Sequence, residues 1–244
     1  MNEHILKAGL VAAALAGAMT LPGTAAAQQQ EAPQAAWSKV VTKTEAGGYR
    51  MGSPDAPVKL VEYASLICGH CAHFHEEGTA PLSADYIDSG RVSFEVRSYT
   101  LNVVDETAAL LARCGSADTF FPMVDALYDA QGDWWTAKID AVRALLPEVK
   151  MLSTGEQRAR IAQTTGLDAI AAAQGLSRSQ ISACLSDETA VAELAAIHRT
   201  AQGAHGVRGT PTFLIDDVTM TTFNQWPSLK PTLDQMLALD AQAD

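Results

Sequence analysis

The stretch VKLVEYASLICGHCAHFH, residues 58–75, sets a short apolar, β-prone run directly before two cysteines three positions apart, with one histidine between them and two just after. Residues 58–65 read as a buried central strand, since a run of branched and aromatic residues bounded by turn residues suits a strand covered on both faces. A helical pattern takes over at Gly69 and continues to about Ile87, with a kink or break expected near Gly78 and Pro81. Cys68 therefore sits at a helix start, where unpaired backbone N–H groups and the positive end of the dipole stabilise an anion. His70 can add a positive charge or a hydrogen bond, and so lower the pKa of Cys68 further. Cys71, one turn inward, suits a resolving thiol: Cys68 makes or breaks a mixed disulfide with a substrate, and Cys71 opens or closes the ring.

Two other uses of the cluster have to be weighed. An inert structural bridge has little reason to span a solvent-facing two-residue loop. A metal site is the stronger competitor, because Cys68, Cys71 and His75 fall at spacings of three and four and can line one helical face. Those ligands suit Cu(I) or Zn(II), but a closed site wants a fourth, and none is close in sequence. A metal-binding or metal-delivery protein thus remains an alternative from a different class, while the favoured reading assigns neither metal nor cofactor.

The chain opens with Lys7, an apolar run at 8–21, Pro22, Gly23 and small residues, the pattern of a signal peptide over 1–27. The apolar run is shorter than the roughly 20 residues of a membrane-spanning helix. Export to the periplasm is expected, where paired cysteines persist. A net charge of −11 without basic clusters argues against nucleic acid and anionic lipid as partners.

Residues 28–56 read as an N-terminal tether followed by turn material leading into the first strand. Residues 57–103 hold the strand, the CxxC helix and a second strand, RVSFEVRSY at 91–99. Residues 104–203 carry almost no strand signal and read as a helical block, with a capping-type Thr154 and a division near Ser186 and Asp187. Residues 204–244 return to strand at 212–215, with a hairpin partner in VTMTTF and a closing helix in SLKPTLDQMLALD. Trp134 and Trp135 read as packing residues without a role in the chemistry.

A CxxC after a central strand, a helical block and GTPTF before a late strand together resemble the DsbA family of thiol:disulfide oxidoreductases. The resemblance implies an α/β chain, a thioredoxin fold with a large helical-domain insertion. It implies that Thr210-Pro211 is cis and faces the cysteines, leaving the Thr210 backbone free to pair with a substrate chain. It also implies that Glu62, six residues before Cys68, lies buried below the disulfide and passes protons to or from Cys71. The resemblance implies an oxidase that introduces disulfide bonds into substrate proteins, while Gly69-His70, similar to the dipeptide of protein disulfide isomerases, and Thr210, which also departs from the best-known DsbA proteins, keep an isomerase or reductase as the alternative. Cys114 and Cys184 are left to each other once the CxxC is paired, and some DsbA relatives are similar in having a second, non-catalytic disulfide; a second redox relay is the other use. Reduced or misoxidised exported proteins as substrates, a DsbB-type membrane partner and a monomeric state complete what the resemblance implies.

Overall fold

Six strands form one sheet in the order β1-β2-β4-β3-β5-β6. They are β1 (Val41–Lys43), β2 (Tyr49–Met51), β3 (Val58–Ala64), β4 (Val92–Ser98), β5 (Thr212–Ile215) and β6 (Val218–Thr219). This computed structural model describes residues 36–221 and 225–240, so the signal peptide expected at 1–27 and the tether at 28–34 lie outside the described residues. β3 is central, parallel to β4 with Glu62 opposite Val96, and antiparallel to β5 with Glu62 opposite Phe213. A parallel pair needs a crossover, and α1 (Gly69–Leu82) supplies it.

Covering both faces explains why β3 reads as a nearly unbroken apolar run, whereas β4 alternates, with Ser93, Glu95 and Arg97 buried on one of its faces. Leu60, Ala64, Phe94, Phe213 and Ile215 point to the core shared with Phe74 of α1, whose ring meets Phe213 edge-on at 4.7 Å. By strand alternation Glu62 shares that face with Leu60 and Ala64. Val61, Tyr63 and Leu214 point the other way, against Ile197 and Ala201. Those two residues belong to α9 (Glu188–Gly203), so the last helix of the block covers the sheet itself.

The break expected near Gly78 and Pro81 does not occur. α1 runs through both residues and widens into a π-helical turn, Ser83–Ile87, just after Pro81. Gly78 answers to packing, since a Cβ there would lie 3.0 Å from the Phe74 ring and 3.2 Å from Trp226.

Between β4 and β5 lie α2 (Val103–Ala112), α3 (Phe120–Asp129), α4 (Gln131–Trp134), α5 (Ile139–Val149), α6 (Thr154–Thr165), α7 (Leu167–Ala173), α8 (Arg178–Leu185) and α9. The division at Ser186 and Asp187 is observed: Ser186 caps α8, and Asp187 caps α9 by accepting from Thr189 and Ala190. At α6 the cap falls one residue earlier than expected, on Ser153, which forms a capping box with Glu156. Trp134 is buried and donates to the Leu127 carbonyl at 2.7 Å, in keeping with a packing role. α10 (Trp226–Asp240) closes the chain on the β3 side.

The segment read as tether and turn holds a hairpin. β1 and β2 pair through Thr42 and Arg50, and β2 joins β4. Each has only three residues, too few for an alternating pattern to show. The hairpin also completes a buried ion pair: Arg97 grips Glu95 through Nε at 2.7 Å and Nη2 at 3.1 Å, and the Thr44 hydroxyl donates to Glu95 at 2.7 Å.

Candidate active site

β3 ends at Ala64, and four residues later the chain enters α1 with Cys68 as its N-cap, in extended conformation. The Cys68 carbonyl accepts the first bond of the turn, from Ala72 N at 3.1 Å, while the side chain is left to face the free N–H groups. Hydrogen bonding from the Cys71 thiol, then from the Thr210 side chain and the backbone N–H groups of Cys71 and His70, outweighs partial burial and brings the Cys68 pKa down to about 5. The contribution from His70 runs through its backbone; its imidazole is exposed, as is Gly69, where a Cβ would meet nothing within 4 Å.

Cys71 is the opposite kind of thiol. It is fully buried, and desolvation first, with the neighbouring Cys68 and Glu62 behind it, pushes its pKa well above the ordinary value. The structure thus separates the two cysteines into a half-buried thiol with a lowered pKa and a fully buried one with a raised pKa.

Thr210-Pro211 is cis. The loop it forms brings the Thr210 carbonyl oxygen 3.2 Å from the Cys68 sulfur. Glu62 is buried, its Oε1 lacks a hydrogen-bond partner among the described residues, and burial, reinforced by the Cys68 charge, raises its pKa to about 8. Its carboxyl is therefore protonated at neutral pH and close enough to Cys71 to perturb it.

The metal ligand set does not converge. His75 turns toward α3, with Nε2 3.3 Å from Asp125 and Nδ1 3.2 Å from the Thr79 hydroxyl, and His73 faces Glu76 and Glu77 from an exposed position. Among the described residues no three His, Cys, Asp or Glu are arranged to hold a metal ion. Cys114 and Cys184 are bonded to each other, joining the end of α2 to α8 with Cα atoms 5.8 Å apart.

Three residues escaped the sequence reading. Asp105, Tyr128 and Gln131 all reach from the helical block to the loop just before Cys68. In sequence Asp105 carries only the mark of an acidic first turn and the other two carry none, because their partners are more than 38 residues away.

A family model described as Thioredoxin matches residues 44–235. A Rickettsia conorii protein named a protein-disulfide oxidoreductase is 28% identical over 195 residues, covering 80% of this chain, and the chain spans 62% of that relative's length. The crystal structure of a protein-disulfide isomerase from Novosphingobium aromaticivorans is 30% identical, with a TM-score of 0.73 over 77% of this chain and 96% of the other. That of Wolbachia pipientis alpha-DsbA1 shares the fold at 21% identity and a TM-score of 0.66, over 81% of this chain and 94% of the other. The matched residues run from the turn after β1 into α10 and take in both halves of the sheet with the helical block between them, so the chain belongs to the thioredoxin family, in the DsbA-type form whose fold carries a helical insertion.

Proposed function

We propose that the protein is an exported thiol:disulfide oxidoreductase that introduces disulfide bonds into periplasmic substrate proteins. The observation that carries this reading is the opposed pair of thiols, Cys68 ionised from about pH 5 upward beside Cys71 held protonated. A thiolate stabilised in this way favours the reduced form of the pair, and so disposes the disulfide to oxidise others.

In the oxidising direction a substrate thiolate attacks Sγ of Cys68 in the Cys68–Cys71 disulfide. The S–S bond breaks, and Cys71 departs with the electron pair and takes up a proton, for which the buried Glu62 carboxyl is the donor. A second substrate thiolate then attacks the substrate's own sulfur in the mixed disulfide, and Cys68 leaves as thiolate. Two electrons have passed from the substrate to the protein, and a DsbB-type membrane partner withdraws them. The Thr210 backbone, beside Cys68, aligns the extended substrate chain. The protein works as a monomer and without a cofactor, and the signal peptide pattern supports export.

Isomerisation is the second reading, favoured by the Gly69-His70 dipeptide and by the likeness to the Novosphingobium protein, which is named an isomerase. Equilibration of the Cys68–Cys71 pair with glutathione tests the direction. A potential well above the roughly −270 mV of thioredoxin supports the oxidase, and one at or below it overturns the oxidase in favour of a reductase. Faster repair of a scrambled substrate than oxidation of a reduced one selects the isomerase.

A further inference from the structure

We propose that Asp105 is a positioning residue for the redox loop: through Ser65 and Leu66 it fixes the place of Cys68, so that the helical insertion governs the reactivity of the CxxC. This rests on the oxidoreductase reading and adds to it a residue that touches neither sulfur nor substrate.

Asp105 is 1% exposed, in the first turn of α2. A carboxylate there is costly unless every lone pair finds a donor. Its donors come from two loops. Oδ2 accepts the Ser65 hydroxyl at 2.6 Å and Leu101 N at 2.9 Å, while Oδ1 accepts Leu66 N at 2.9 Å. One carboxylate thus ties the loop leaving β3 to the loop leaving β4. Its own backbone is fixed in turn, since Asn102 caps α2 by accepting from Val104 N at 2.9 Å and Asp105 N at 3.1 Å.

Two more side chains of the insertion complete the hold. Tyr128 donates to the Ser65 carbonyl at 3.2 Å, and Gln131 donates to the carbonyls of Leu66 at 2.8 Å and Cys68 at 3.2 Å. The backbone of Cys68 is therefore held by the insertion, while its sulfur, when protonated, donates to the Thr210 carbonyl on the other side. In that place the sulfur faces the Cys71 thiol first, and then the N–H groups of Cys71 and His70, all of which lower its pKa.

A positioning role and a charge effect have opposite signs. Burial raises the pKa of Asp105 to about 6, so near pH 5, where Cys68 titrates, it is largely protonated; the remaining charge repels the Cys68 thiolate, and if Asp105 acted only as a charge its removal would lower the pKa of Cys68 slightly or leave it unmoved. If it positions the loop, removal lets Cys68 drift from its donors, and the pKa rises.

The test uses the full chain in its reduced form, comparing wild type with Asp105→Ala, Asp105→Asn and Ser65→Ala. Thiolate absorbance is followed against pH, with amide hydrogen exchange at Leu66 and Leu101 and the melting temperature alongside. Asp105→Ala is expected to move the Cys68 titration upward and to speed exchange at both amides by about ten-fold or more, as loss of bonds to a charged acceptor requires. Asp105→Asn, which keeps one acceptor, is expected to fall between. A lower melting temperature with an unmoved or lowered Cys68 titration and unchanged Leu66 exchange overturns the proposal. If Asp105→Ala does not fold, Asp105→Asn and Ser65→Ala decide together, the second removing a donor to Asp105 and the acceptor of Ile67 N at 3.3 Å: a smaller shift in the same direction in both supports the proposal, and no shift in Asp105→Asn overturns it. None of these readouts needs substrate turnover. A wild type unable to oxidise, reduce or isomerise a substrate sinks the oxidoreductase reading alone.

Discussion

The sulfur of Cys68 lies 3.2 Å from the backbone carbonyl oxygen of Thr210, a residue 142 positions further along the chain. Every helix of the insertion lies between the two in sequence, yet β3 and β5 are neighbours in the sheet, so the loops at adjacent strand ends meet. The half-buried sulfur thereby lies beside the Thr210 backbone, to which the proposed function gives the task of aligning an extended substrate chain.

The first prediction concerns the two thiols. With Cys68 brought down to about 5 and Cys71 raised, alkylation of the reduced protein is expected to reach half its maximal rate near pH 5 and to modify Cys68 alone. Peptide mass spectrometry after timed alkylation across a pH series checks this. Half-maximal reaction near pH 9, or equal labelling of both cysteines, contradicts the asymmetry on which the proposed function stands.

The same shift links redox state to stability. The folded pKa of Cys68 lies below the ordinary value of 9.0, so its contribution is fully present above pH 9 and is lost as pH falls through about 5. The oxidised protein has no such thiol. The melting temperature of the reduced form, measured relative to the oxidised form, is therefore expected to climb as pH rises from about 5 to about 9. Glu62 works in the opposite sense. Its folded pKa is raised from 4.5 to about 8, so the folded state holds a proton that the unfolded state has released, and stability falls with pH across that window. It does so in both redox forms, so it largely cancels from their difference. A difference that is flat or falling with pH refutes the prediction.

Glu62 offers a more direct test, because a buried carboxyl with an unpartnered oxygen detracts from stability. Replacing it by a fitting apolar side chain, Glu62→Leu, is expected to stabilise the fold by about 1–3 kcal/mol. The gain should be larger at pH 9 than at pH 6, since only above about 8 does the wild type hold a carboxylate there. The cost falls on chemistry: with no proton donor for the departing Cys71, mixed disulfides at Cys68 are expected to form more slowly at neutral pH. Denaturant melts at two pH values and stopped-flow reaction of the oxidised protein with a model thiol measure the two effects. A destabilised variant with unchanged kinetics assigns Glu62 to packing instead.

The parts of this site legible in sequence are those written into local patterns. Residues 58–71 show a strand, a helix start and two thiols a turn apart, and that is enough to place Cys68 at the start of α1 and Cys71 inward of it, where it is buried. Glu62 stood out because an acid in an apolar strand is conspicuous. The hairpin at 41–51 did not, because three-residue strands take their stability from pairing with β4 rather than from any pattern of their own. The grip of Asp105, Tyr128 and Gln131 was hidden for a related reason. Each bond joins residues 39 to 65 positions apart, and an aspartate near a helix start reads as an ordinary response to the helix dipole whatever it accepts from.

The last prediction separates the second disulfide from the first. Cys114–Cys184 closes a sequence separation of 70 residues, for which the chain-entropy description gives about 4 kcal/mol. It fastens the C-terminal end of α2 to α8, whereas the active-site end of the same helix carries Asp105, nine residues earlier and about 14 Å away along the axis. Cys184 is partly exposed, but Cys114 is buried, at 5% exposure, so substrate sulfur has no approach to the Cys114 side of the bond. Cys114→Ala combined with Cys184→Ala is therefore expected to lower stability by roughly that amount. The Cys68 thiolate titration and the potential of the Cys68–Cys71 pair are expected to stay at their wild-type values, because the hydrogen bonds at the start of α2 do not depend on what anchors its end. Denaturant melts report the first effect, and glutathione equilibration with thiolate absorbance reports the second. Lost oxidation of substrate at unchanged stability would mean instead that the second disulfide exchanges electrons with the first.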